Sequence, residues 1–447
     1  MWKFWLKGLT RNRQDAVVAK PNVPLPPEQA PPLLTTDWQV LVSSWDGFRR
    51  ESGLKAIRSS QSTIRLAAVL ERLNDWVPQV RVAAVAALDD YLTPQHAESL
   101  IAQMPAIMAL GNRKRADHTP TIRKLETALA MKECLAHCNE AFWASRGASA
   151  RFLFNVLVQT KVEDDLTLFL VETMRHPDLA ARQMAIAKTQ DLAEGPAQRV
   201  IAIGLNNASG ILRTQAFRAA MRFQDGRIRL IQQLLTDPSP AARSAALWAA
   251  SQHGVDPSLI LLERLAGDMP ISKAQWLGVL GLAQNLSVRV PEQWVRPGIN
   301  QRCGAVRSLV LAIEGSHRPE LLVAGLNDPS QCVFDVALKG AHLLVWRDIQ
   351  DELTSRLERE WETLQPARRR ALHRVMPTWG QVQFLLVQFQ KQANASYWLE
   401  QIRLWIEAHY MIFDPITPKS ERQQTIQHLT ELEATNALPV GSLARLV

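Results

Sequence analysis

The chain is poor in the residues that build stapled, turn-rich or membrane-spanning proteins. Four cysteines in 447 residues cannot make a disulfide framework, which points to a reducing, cytoplasmic setting. Glycine is scarce, at 20 residues, and no Gly-rich phosphate loop occurs. No apolar run is long enough to cross a bilayer. Strand-like alternation is rare as well. The sequence has no G-x-S-x-G elbow, no H-E-x-x-H, and no paired carboxylates with a reading beyond helix caps, Asp89-Asp90 and Asp164-Asp165 included. Cys134 and Cys138 flank His137 at a spacing that lets two thiols share an ion. A structural zinc needs four ligands, however, so small buried thiols are the reading. We therefore expect no catalytic, cofactor-binding or metal-binding residue.

What is present is a period. A basic residue, Ala three positions on and a large apolar residue at the fourth recur as Arg182-Ala185-Ile186, Arg213-Ala216-Phe217, Arg243-Ala246-Leu247, Arg302-Ala305-Val306 and Arg368-Ala371-Leu372. Lys273-Trp276-Leu277 and Phe334-Ala337-Leu338 fill the gaps, giving steps of 31, 30, 30, 29, 32 and 34 residues. A period in that range marks stacked helical pairs, because one pair cannot bury its apolar face until a neighbour covers it. Small Ala lets the next helix approach while the following residue fills the groove. The spacing predicts an all-α chain, an α-solenoid of stacked antiparallel helix pairs, with Ala84, Ala185, Ala216, Ala246, Ala305 and Ala337 buried. His176-Pro177, Asp237-Pro238 and Asp328-Pro329 read as boundaries where one helix ends and another starts.

The run Trp76-Val77-Pro78-Gln79-Val80-Arg81-Val82-Ala83-Ala84-Val85-Ala86-Ala87-Leu88 resembles the second helix of HEAT repeats, including the bacterial HEAT-like repeats related to phycobilisome lyases. The stretch LTDPSPAARSAALWAA from Leu235 is similar. The resemblance covers about residues 60–92 and 170–380; between 93 and 165 the register is irregular. It implies a fold and an extended binding surface, with no catalytic motif. It also implies that Arg182, Arg213 and Arg243 bond acids or carbonyls of neighbouring repeats, with Asp178, Asp237 and Asp328 as partners. The expected organisation is a basic amphipathic segment over 1–20 and a Pro-rich linker over 21–35. Irregular repeats follow over 36–165, regular repeats over 166–390 and capping helices over 391–447.

Net charge is +8, with basic clusters at Arg113-Lys114-Arg115 and Arg368-Arg369-Arg370. They are candidate patches for phosphate or anionic lipid, weighed against solvated helix surface. Near the N-terminus, Trp2, Trp5, Leu6 and Leu9 share a helical face, with Lys3 and Lys7 on the other side. That pattern suits docking to a partner or, reversibly, to an anionic membrane. Fourteen tryptophans are present, and Trp248, Trp346 and Trp405 read as packing groups within amphipathic helices. The sequence thus points to a non-catalytic scaffold or adaptor that binds a protein partner, cytoplasmic or peripheral at the inner membrane face. Nucleic-acid binding is expected to be weak and non-specific. The alternative is a basic HEAT-like nucleic-acid-binding protein or a base-modifying enzyme similar to the HEAT-like alkylpurine DNA glycosylases. It rests on fold, charge and Trp248, Trp276 and Trp294, with no active-site motif to carry over.

Overall fold

The computed structural model describes residues 38–59, 62–391 and 394–446. The candidate docking residues Trp2, Lys3, Trp5, Leu6, Lys7 and Leu9 lie outside them. The described residues divide into two compact units, one ending at residue 160 and the other beginning at residue 161. Among the described residues the first holds α1 (Trp38–Val42), α2 (Gly47–Ile57), α3 (Thr63–Arg72), α4 (Pro78–Asp89), α5 (Ala97–Ala102), α6 (Met104–Leu110), α7 (Thr119–Leu129), α8 (Leu135–Ala144) and α9 (Gly147–Gln159). The second opens with α10 (Glu163–Thr173), α11 (Leu179–Lys188), α12 (Glu194–Leu205), α13 (Gly210–Ala220), α14 (Arg227–Leu235), α15 (Pro240–His253), α16 (Pro257–Ala266) and α17 (Lys273–Leu286). It continues with α18 (Glu292–Ile299), α19 (Gly304–Glu314), α20 (Pro319–Leu326), α21 (Gln331–Ala341), α22 (Trp346–Glu360), α23 (Pro366–His373), α24 (Thr378–Gln390), α25 (Ala395–Ala408) and α26 (Lys419–Ala434). No strand occurs among the described residues.

Local chemistry sets the helix starts. Asp178 accepts from the Ala181 N–H at 3.1 Å, and Ser272 closes a reciprocal capping box with Gln275. Prolines open α15, α16, α20 and α23, where a missing N–H costs nothing. In the second unit consecutive antiparallel helices pair, α10 with α11 through α24 with α25. The second member of each pair from α11 to α21 packs on the second member of the next. This is the expected α-solenoid. In the first unit α1/α2 and α3/α4 follow the same rule. Short α5 and α6 then break it, which is why the period fades there.

Five of the six marked alanines, Ala84, Ala185, Ala216, Ala246 and Ala337, are fully buried. Ala305 is only half-buried, because the register assigned to that repeat is wrong. Arg307, with Val310 and Leu311 buried beside it, occupies the slot given to Arg302. The flanking steps become 34 and 27 residues. A glycine nine residues before the slot confirms the alignment. A Cβ on Gly204, Gly298 or Gly325 would lie 2.7, 2.7 or 2.9 Å from Ala216, Val310 or Ala337, so only glycine permits these helix crossings. The Asp-Pro dipeptides lie, as expected, where one helix ends and another starts. Asp237 and Asp328 lie in the turn inside a pair and accept the N–H of Ser239 at 2.7 Å and of Ser330 at 2.8 Å.

Candidate functional site

Most of the recurrent arginines are turn clamps, whereas the buried Nε of Arg182 has no hydrogen-bond partner among the described residues. In five of them one Nη1 donates to the carbonyls six and five residues earlier: Arg50 to Ser44 and Trp45, Arg81 to Asp75 and Trp76, and Arg213 to Asn207 and Ala208. Arg243 to Asp237 and Pro238 and Arg307 to Gln301 and Arg302 complete the set. Three of them also reach a carboxylate in the next repeat bidentately, as Arg50–Asp75, Arg213–Asp237 and Arg307–Asp328. Burial alone would raise the Asp75 and Asp328 carboxyls. Bonds from the arginines and from the Val77 and Ser330 N–H groups outweigh it and hold both below the ordinary carboxylate range.

One repeat borrows its clamp. Phe334 stands where the arginine belongs, and Arg368 reaches back across the stack. Its Nη1 donates to the Asp328 carbonyl at 2.7 Å and its Nη2 to the Pro329 carbonyl at 3.1 Å, the two acceptors an arginine at 334 would hold. Its guanidinium lies 4.6 Å from the Phe334 ring centroid. Arg369 donates to the Trp361 carbonyl at 3.0 Å and sits over that ring. Of the Arg368-Arg369-Arg370 cluster only Arg370 is exposed. Arg113, Lys114 and Arg115 are all exposed.

Trp276 and Trp294 meet edge-on at 5.4 Å inside the core, and the Trp294 indole N–H is satisfied by the Leu265 carbonyl. Trp405 is buried as expected, whereas Trp248 is largely exposed, at the solvent side of α15. Cys134 and Cys138 are buried, and burial with Cys134 nearby pushes the Cys138 thiol up to about 12. Among the described residues no group of three His, Cys, Asp or Glu side chains could hold a metal, and no helix is long and apolar enough to cross a membrane.

Among the described residues, two surfaces cluster exposed aromatic side chains. On the second unit, the loop between α25 and α26 exposes Tyr410, Met411, Phe413 and Ile416, with Phe413 89% exposed. The loop backbone is nevertheless fixed. Buried Asp414 accepts the Trp379, Ile416 and Thr417 N–H groups at 2.9, 2.9 and 3.1 Å and the Thr417 hydroxyl at 2.8 Å. The Ile412 N–H donates to the Leu446 carbonyl. Burial pushes the Asp414 carboxyl up, and these four donors pull it below the ordinary range. Beside the loop runs a cleft of about 270 Å³ lined by Trp346, Gln350, Met376, Phe384, Val387 and Ile416. On the first unit, Trp45 and Trp76 stand exposed in the turns of α1/α2 and α3/α4, and Phe48 stands exposed at the start of α2. The periodicity flagged neither surface. The available signal was a tryptophan at Trp45 and Trp76, where the matching turn position elsewhere is Ala208, Pro238 or Pro329.

No protein-family model matches the chain, and no curated protein does either. Among solved structures it is similar to a homology model of the full-length AP-3 complex in an intermediate open conformation. That match has 12% identity over 89% of this chain and 91% of that one, with a TM-score of 0.24. It is also similar to a crystal structure of importin beta in an ammonium sulfate condition. There the identity is 13% over 90% of this chain and 59% of that one, again with a TM-score of 0.24. This chain thus covers less than two thirds of the importin chain. At such overlap the fold assignment rests on the chain's own helices.

Proposed function

We propose that the chain is a non-catalytic, HEAT-like scaffold that binds a protein partner through the second unit. The observation that carries this reading is the loop 409–418. Four large apolar side chains project from a backbone that Asp414 holds rigid, next to a cleft whose walls mix apolar side chains such as Met376 and Phe384 with charged ones such as Arg347 and Glu421. Exposed apolar groups on a pre-ordered loop bind without the entropy cost of ordering it, and aromatic anchors dominate protein interfaces. The clamp arginines support the same reading over nucleic-acid binding, because their donors are engaged inside the fold. The N-terminal segment is our candidate tether.

The test is affinity capture of the full chain with mass spectrometry, repeated with Phe413→Ser and Tyr410→Ser and with the control Ile271→Ser, a change at an exposed position away from the loop. A partner retained by wild type and control but lost by the loop variants is expected. Recovery of the same proteins by every form would defeat the reading. In parallel, removing residues 1–20 should reduce sedimentation with anionic vesicles; unchanged sedimentation would remove the tether.

A further inference from the structure

The turns of α1/α2 and α3/α4 carry aromatic rings that their geometry does not require. The position five residues before the clamp arginine is Trp45 and Trp76 here, and Ala208, Pro238 and Arg302 in the equivalent turns of the second unit. All these turns present the same carbonyls to their arginines. A small or polar residue therefore serves the turn equally well, yet Trp45 is 88% exposed, Trp76 64% and the neighbouring Phe48 83%. The two turns lie side by side, since a Cβ on Gly47 would meet Val77 at 3.2 Å. The Trp76 ring is backed by the buried Arg50 guanidinium, 5.4 Å from its centroid.

Trp76 also forms one wall of a concavity of about 370 Å³ whose other walls include Glu71, Arg72, Asn74, Arg113 and Arg115. The acids in this wall are already paired: Glu71 with Arg72, and Asp75 with Arg50 and Arg72. Arg115 is set in place by its N–H on the Asn74 side-chain oxygen at 3.2 Å and its Nη1 on the Asn74 carbonyl at 3.3 Å. Neither Arg113 nor Arg115 has a carboxylate partner among the described residues. The surface is thus apolar and aromatic at one end and carries two unpaired guanidinium groups at the other. A nucleic-acid strand needs cations spaced along its whole backbone. Three further cations of this unit are neutralised locally, as Lys55–Glu51, Arg58–Asp90 and Lys124–Asp89.

We propose that this ledge of the first unit docks an acidic peptide segment of a partner protein, its carboxylates on Arg113 and Arg115 and an adjoining apolar side chain against Trp45 and Trp76. Charge complementarity selects the acidic end, and Trp and Arg are the residues that anchor interfaces most strongly. The proposal shares with the reading above only the class of partner. It does not involve loop 409–418, so the two fail separately.

The test is fluorescence anisotropy with the full-length chain and a short labelled probe peptide in which phenylalanines precede a run of glutamates. A matching peptide with lysines for glutamates and a labelled oligothymidylate serve as comparators. The acidic peptide should bind best, with affinity falling as salt rises. Trp76→Ala and the double change Arg113→Glu, Arg115→Glu should each weaken it about tenfold or more, a factor corresponding to one hot-spot contact. Trp45→Ser, at a position so exposed that folding is indifferent to it, should weaken it without moving the melting temperature. Equal binding of the lysine peptide, tighter binding of the oligothymidylate, or variants that all bind like wild type would each overturn the proposal.

Discussion

At the scale of single residues, the arginine clamp is the unit of design. A guanidinium offers donors in a fixed fork, so one side chain can hold two turn carbonyls and still grip a carboxylate in the next repeat. Arg213 does all three from a mostly buried position. Arg213→Met should therefore destabilise by about 3 kcal/mol, since it leaves Asp237 and two carbonyls without their donor. Arg302→Ala, in the turn rather than in the clamp, should change stability by less than about 0.5 kcal/mol. Urea unfolding of both variants checks this; equal effects would return the clamp to Arg302. The sequence pattern revealed Arg213 and Arg243 but not Arg50, whose third following residue is Gly53 instead of Ala. It misplaced Arg307 because Arg302-Ala305-Val306 copies the pattern by chance. The Gly298-Ile299-Asn300 tripeptide, parallel to Gly204-Leu205-Asn206 and Gly325-Leu326-Asn327, held the correct alignment.

At the scale of helices, legibility followed burial. Positions that must be small at a crossing were readable because any larger residue is excluded: Ala246 on α15 has no exposed surface. Ala246→Glu should cost about 4 kcal/mol or more, combining overpacking with a buried charge. Arg369→Glu, on a residue that sequence alone puts on a solvated helix face, should also lower stability, by about 1 kcal/mol or more, through loss of its contacts with Trp361. Thermal melts rank the two against wild type, and a neutral Ala246→Glu would refute the packing register. The exposed surfaces were not legible for a complementary reason. Whether an aromatic residue in a turn faces solvent depends on which neighbours the stack brings over it. Trp45 and Phe413 therefore look in sequence like any buried ring.

At the scale of the whole chain, five groups make stability depend on pH in one direction. Asp75, Asp328 and Asp414 are held below the ordinary carboxylate range, and burial pushes the His118 and His373 imidazoles down. In every case the folded state binds fewer protons than the unfolded state, so stability rises with pH. It should be fully present above about pH 7 and begin to fall as the histidines cross about pH 6.5. The decline should steepen below about pH 4, where unfolded carboxylates take up protons. Melts across that range test it; a chain that gains stability on acidification from neutrality would contradict these placements. The borrowed clamp has a separate consequence, for modularity. Where each repeat secures its own turn, a solenoid can be cut back one pair at a time. Here the turn at Asp328-Pro329 is closed by an arginine from α23, two helices further on. A chain ended after α21 would leave that turn open although every residue of its own repeat is present. The block α20–α23 is therefore indivisible and larger than one period, and evolution or an engineer could cut within it only by first returning an arginine to position 334.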